Sequence, residues 1–186
     1  MRWLVLLARV KRRVSTRNEA EVAALLAEAA ALAPANGWPE LQLIVRTERA
    51  LALDADASAS ALLALAQEAG TRLLHSAELG AWLHLAHRSA DPQQAATAAR
   101  QALHLLPGAE ALHADRALRW LAPARALAAA GDSEEADTLA RAGQDWLRNT
   151  ATVHVAPEFG DSFLHQHPSH RSLLAWPSSS RQPPAA

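Results

Sequence analysis

Apolar residues recur at intervals of three and four along almost the whole chain, the period of helices with one buried face. Leu4, Leu7, Val10 and Val14 share a face near the N-terminus, and Arg9, Arg12 and Arg13 occupy much of the remaining surface. Thr16 or Asn18 is placed to cap a second helix with the stripe Val22, Leu25, Leu26, Ala29 and Leu32, stopped by Pro34 and Asn36-Gly37. Pro39 opens a third helix reaching about Leu53. Asp54 to Ser60 reads as a polar break, followed by a fourth helix over about 59–69 that Gly70 closes. A fifth is expected over about 71–88. Asp91-Pro92 supplies an N-cap and a first-turn proline for a sixth, which ends at Pro107-Gly108. A seventh over about 113–130 contains Pro123, and an eighth starts after Gly131-Asp132 and ends near Asn149. Val153 to Pro157 reads as a linker. Glu158–His165 and Ser169–Trp176 read as short helices separated by Pro168, and residues 177–186, rich in Pro and Ser, as a disordered tail.

Composition agrees with an all-α fold. Half of the 186 residues are apolar, about a quarter are alanine, Tyr is absent and Phe occurs twice. Trp3, Trp38, Trp82, Trp120, Trp146 and Trp176 are spaced as one large packing anchor per helix layer. The chain has no cysteine, which excludes disulfides, thiolate metal sites and cysteine nucleophiles. A net charge of −1 gives no global pull toward nucleic acid or anionic lipid. All basic residues except Lys11 are arginine, which together with the alanine bias points to a GC-rich bacterial genome. The apolar run Trp3–Ala8 is far shorter than the roughly 20 residues of a membrane span. Its charges follow rather than precede it, unlike those of a secretory signal, so a cytoplasmic protein without membrane contact is expected.

A ladder of small residues repeats. Its clearest copy is Ala95-x3-Ala99-x2-Ala102-x4-Pro107; the others are Val22-x3-Leu26-x2-Ala29-x4-Pro34, Ala59-x3-Leu63-x2-Ala66 and Ala136-x3-Ala140-x2-Gly143. Sixteen residues before each ladder stands a large apolar opener, Leu6, Leu43, Leu79 or Trp120. The last copy is the fullest: Trp120-x2-Pro123-Ala124-x2-Leu127-x3-Gly131-x4-Ala136. This pattern resembles the tetratricopeptide repeat over about residues 1–150. It departs from the family in a longer period, in Leu83 where a small residue is usual, in Ala or Leu where the second helices carry an aromatic, and in Arg148 where the last proline is expected. The resemblance implies a right-handed superhelix of about four antiparallel helix pairs (1–150), short C-terminal capping helices (151–176) and a tail (177–186). An unrelated antiparallel bundle fits the periodicity alone equally well.

Val155-Ala156-Pro157-Glu158-Phe159-x2-Ser162-Phe163-Leu164-x3-Pro168-x2-Arg171-x-Leu173-Leu174 resembles the end of the helical-repeat region in large bacterial transcriptional regulators, adenylate cyclases and ATPases. That resemblance implies the detached C-terminal arm of such a regulator.

Candidate chemistry is sparse. His165, His167 and His170 have the residue type of a zinc site, but His-x-His in a short helix directs the rings apart, so no metal or other cofactor is expected. Asp161, Ser162 and His165 contain the residue types of a hydrolase triad without the G-x-S-x-G turn. No phosphate-binding glycine loop is present. His84 and His87 share a helix face, and Arg9–Arg13 reads as a solvated basic face.

Stacked helix pairs share a continuous core and leave a concave surface lined by first helices. Five residues after the openers stand Lys11, Glu48, His84 and Arg125, the positions that in tetratricopeptide-like proteins commonly face the groove. The expected function is therefore a non-catalytic scaffold holding a protein or peptide in that groove, with no small-molecule substrate and no direct nucleic-acid contact. An open apolar edge at the first helix pair would support a homodimer. The alternative is a small helical metal-dependent enzyme using His165, His167 and His170.

Overall fold

The computed structural model describes residues 4–8, 19–34, 37–109 and 115–177, and all regular structure among them is helical. Expectations for Trp3, for Arg9–Asn18 with Lys11, and for the tail from Ser178 lie outside the described residues. Residues 4–8 are helical. Nine further helices follow among the described residues: α1 (Glu19–Leu32), α2 (Pro39–Ala50), α3 (Ala55–Thr71), α4 (His75–Arg88), α5 (Pro92–Leu105), α6 (Leu118–Ala129), α7 (Ser133–His154), α8 (Pro157–His165) and α9 (Pro168–Leu174). None is long and apolar enough to cross a membrane.

The chain divides into two compact units. One comprises residues 1–81 and 108–113, the other 82–107 and 114–186, so α4 contributes its first half to the first unit and its second half to the second.

In the first unit α1 packs on α2 and α2 on α3. Val5, Ala29, Leu41, Ile44 and Val45 form one buried cluster, and Ala8, Val22 and Leu26 another. Helix α2 is covered on most of its circumference; of residues 41–50 only Arg46 and Arg49 are exposed. The break expected over Asp54–Ser60 is instead the first turn of α3. Asp54 is the N-cap, its Oδ1 accepting from the Ala57 N–H at 2.9 Å, and the three Ala among residues 55–59 continue readily into helix. Gly70 lies inside α3 rather than beyond it. The helix is terminated by Leu73, which adopts φ +55°, while the Leu74 N–H reaches back to the Ala69 carbonyl at 2.9 Å. The left-handed position after a helix usually falls to glycine, so a leucine there gives no local signal and α4 starts four residues later than expected. Trp38, expected in the core, precedes α2 and is 54% exposed.

In the second unit α5 packs on α6, α6 on α7, α7 on α8, and α9 on α6, α7 and α8. The α5 start follows expectation: Asp91 Oδ1 accepts from the Gln93 N–H at 2.9 Å, with Pro92 in the first turn. Ala95, Ala99 and Ala102 are buried, as are Ala136, Ala140 and Gly143. Their small size lets helix backbones approach. A Cβ on Gly143 would stand 2.8 Å from Trp120 Cβ and 3.1 Å from Leu173 Cδ2, so opener and last ladder position of one repeat copy meet face to face. Trp120 stacks on Trp146 with centroids 4.7 Å apart, over a core of Ala117, Leu121, Leu147 and Leu173.

Helix α7 runs to His154, five residues beyond its expected end. Thr152 returns its hydroxyl to the Arg148 carbonyl at 2.9 Å, keeping a β-branched residue compatible with helix. The stop is Pro157, ahead of which Val155 and Ala156 take extended conformations. Pro157 and Pro168 open α8 and α9 rather than separating them. The Gln144 side-chain amide donates to the Leu173 carbonyl at 2.9 Å, and the Trp176 indole donates to buried Asp137 at 2.9 Å, fastening α9 against α7.

Candidate functional site

The positions expected to line a groove fall in different surroundings. Lys11 lies outside the described residues. Glu48 is 1% exposed within the nearly fully enclosed α2, which removes it from any solvent-facing set. His84 is half-buried on α4 and Arg125 is exposed on α6, both in the second unit. Arg125 owes its exposure to its place on α6, where Leu121, Ala122, Pro123, Ala124, Ala126 and Leu127 are buried and leave one polar residue outward.

One turn beyond His84, His87 reports the local field. Its pKa lies below the ordinary 6.5, first because the ring loses water and then because the positive charges of Arg125 and Arg88 oppose a second cation; Asp115 acts weakly in the other direction. The residue keeps solvent contact, so its desolvation is incomplete and the arginines remain a substantive cause. The folded ring binds its proton less tightly than an ordinary imidazole. Stability from this group is therefore complete above pH 6.5 and is lost as pH falls through the lower folded pKa. Arg125→Gln removes one repelling charge without shortening the side chain greatly. The His87 midpoint, followed by imidazole NMR, is expected to move up toward 6.5 while staying below it. A midpoint that stays put or falls contradicts the proximity of the two side chains.

The histidines near the C-terminus do not assemble as a group of three. His165 on α8 is exposed, its Nδ1 3.0 Å from Asp161 Oδ1. His167 and His170 instead meet Asp115, which precedes α6. His167 Nε2 stands 3.5 Å from Asp115 Oδ2, and the two imidazole centroids are 4.4 Å apart. His170 is buried and its Nδ1 lies 2.7 Å from the Phe163 carbonyl oxygen, so that nitrogen carries the proton and donates. Asp115 also accepts the Ser169 hydroxyl at 2.7 Å and the Ala117 N–H at 3.1 Å. The residue types Asp161, Ser162 and His165 do not form a triad: Ser162 donates to the Phe159 carbonyl at 3.0 Å, leaving its hydroxyl turned from the imidazole. Sequence reasoning missed Asp115 because it lies 52 residues before His167 and only the docking of α9 brings them together.

An open depression at the start of α7 is lined by Gly131, Asp132, Ser133, Glu134, Glu135 and Thr138. Arg100 pairs with Asp132 there, and the acidic first turn complements the helix dipole, a structural use of these carboxylates.

No protein-family model, curated protein or solved structure matches the chain. The repeat resemblance accordingly stands on the residues quoted for it.

Proposed function

We propose that the chain is a non-catalytic protein-interaction scaffold of tetratricopeptide-like helix pairs, the arm of a bacterial signalling or transcriptional regulator, acting in the cytoplasm. The observation that carries the reading is the seat of Trp120 on Gly143. An opener and the last ladder position of its copy pack against each other, which is what the repeat pattern requires of a helix pair. In the second unit the first helix of that pair turns Arg125 outward. The His87 pKa is held below its ordinary value, so positive charge beside His84 comes from Arg88 and Arg125, which suits an acidic peptide. Lys11 holds the same register position in the first copy of the sequence pattern. Leu6 and Leu7, both exposed in the helical segment 4–8, support a homodimer through the N-terminal pair.

The test is fluorescence anisotropy with labelled Glu-rich helical peptides. The wild-type chain is expected to bind in a salt-sensitive manner, and Arg125→Glu with Lys11→Glu to weaken binding by about tenfold or more through like-charge juxtaposition. Circular dichroism should be unchanged. Affinity that survives both substitutions in a folded variant excludes this face as the docking surface.

A further inference from the structure

We propose that Asp115, His167 and His170 form a binding site for one divalent transition-metal ion, zinc being the best chemical match, which clasps the C-terminal helices to the start of α6. One ligand atom from each residue falls within a group whose members all lie within 4.8 Å of one another. Two donors bound tetrahedrally at about 2.0–2.1 Å are separated by roughly 3.3–3.4 Å. The 3.5 Å between His167 Nε2 and Asp115 Oδ2 already matches that separation. The His170 ligand atom lies within 4.8 Å of the other two, so a shift of its ring or of α9 by at most about 1.4 Å completes the set at the bond lengths zinc uses.

The protonation states favour the same conclusion. The His170 Nδ1–H donates to the Phe163 carbonyl, which fixes the tautomer and leaves Nε2 with its lone pair, the arrangement by which backbone carbonyls orient metal-binding imidazoles. The carboxylate of Asp115 is held in place by the Ala117 N–H and the Ser169 hydroxyl. Two imidazoles and a carboxylate with no thiolate select a borderline ion such as zinc over calcium or magnesium, which take oxygen donors. Three protein donors leave a fourth position for water or for a side chain from a bound partner. His165 is outside the set, in contrast to the sequence grouping of His165, His167 and His170.

The site spans two segments that meet only when α9 is docked, so metal occupancy and docking are linked: the ion binds the docked state and stabilises it.

The test uses the full chain, stripped with a chelator and titrated with zinc chloride by calorimetry, with cobalt(II) as a spectroscopic probe. The expected result is one ion per chain, visible cobalt bands of a four- or five-coordinate site, and a rise in Tm on adding zinc. His167→Gln and Asp115→Asn should each lower zinc affinity by about tenfold or more; Asn still offers an acceptor to the Ala117 N–H, and His167 is partly exposed, so both variants should keep wild-type circular dichroism. His165→Gln should bind as wild type does. Absence of stoichiometric binding, or equal affinity in the folded His167→Gln and Asp115→Asn variants, overturns the proposal.

Discussion

Leu173→Ala is expected to cost about 2–5 kcal/mol, the range for removing a fully buried leucine side chain. Leu173 is 0% exposed among Ala117, Leu121 and Leu147, and its Cδ2 lies against the open side of Gly143. It is the one fully buried leucine of the seven-residue α9. The remaining attachments of that helix are polar: Gln144 to the Leu173 carbonyl, Ser169 to Asp115, and Trp176 to Asp137 just beyond its end. Hydrogen bonds of this kind contribute about 0.5–1.5 kcal/mol each, so losing the leucine removes the largest single contribution. The loss is expected to be local. If undocking of α9 needs less free energy than global unfolding, the helix detaches first. Trp146 and Trp120 then gain water, and tryptophan emission shifts to the red at denaturant concentrations where helical dichroism is intact. Coincident fluorescence and dichroism transitions at the wild-type midpoint contradict the assignment of Leu173 as the anchor.

Gly143→Ala pits two effects of opposite sign against each other. In an open helix interior the change stabilises by about 1 kcal/mol, since alanine loses less backbone freedom. At Gly143 the new Cβ would sit 2.8 Å from Trp120 Cβ. That atom is fixed to the α6 backbone, so the contact is relieved only by moving one helix away from the other. Overpacking of this kind typically costs about 1–3 kcal/mol, and the steric effect should win. Trp120→Ala would not rescue the variant, because alanine keeps the same Cβ. Gly160, inside α8, has open space where its Cβ would be, and Gly160→Ala is expected to raise stability by about 0.5–1 kcal/mol. One substitution should therefore give Tm shifts of opposite sign at two glycines of the same unit. A stabilising Gly143→Ala would show that α6 and α7 do not approach as closely as the Trp120 contact requires.

These two effects also mark what the sequence made legible. Helix starts with strong local chemistry were readable: Pro39 and Asp91-Pro92 act where their preferences put them. The ladder marked small residues that become buried, Ala95, Ala99, Ala102, Ala136, Ala140 and Gly143, whereas its member Leu63 is only half-buried and the opener Leu6 is exposed. Boundaries set by tertiary packing were not readable. Leu73 occupies a left-handed turn without a glycine, and α7 continues through Thr150, Thr152 and Val153 until Pro157 stops it. Glu48 held the same register position as His84 and Arg125 yet is buried, because α2 turns Arg46 and Arg49 outward while α6 turns Arg125 outward. Register alone does not report how many neighbours a helix has. The corner around Asp115 shows the same limit in another form. His165, His167 and His170 were visible as a local group of three, but that His165 stands apart and that Asp115 joins the other two depends on where α9 docks, a long-range event with no signature in spacing.

The claim that the outward face of α4 and α6 in the second unit receives an acidic partner is tested most directly by mapping amide NMR shifts of the full chain on titration with a Glu-rich helical peptide. The account predicts saturable shifts concentrated at His84, His87, Arg88 and Arg125, diminishing with added salt. Saturable shifts centred elsewhere, such as on the acidic start of α7, or none at any peptide concentration, would contradict it.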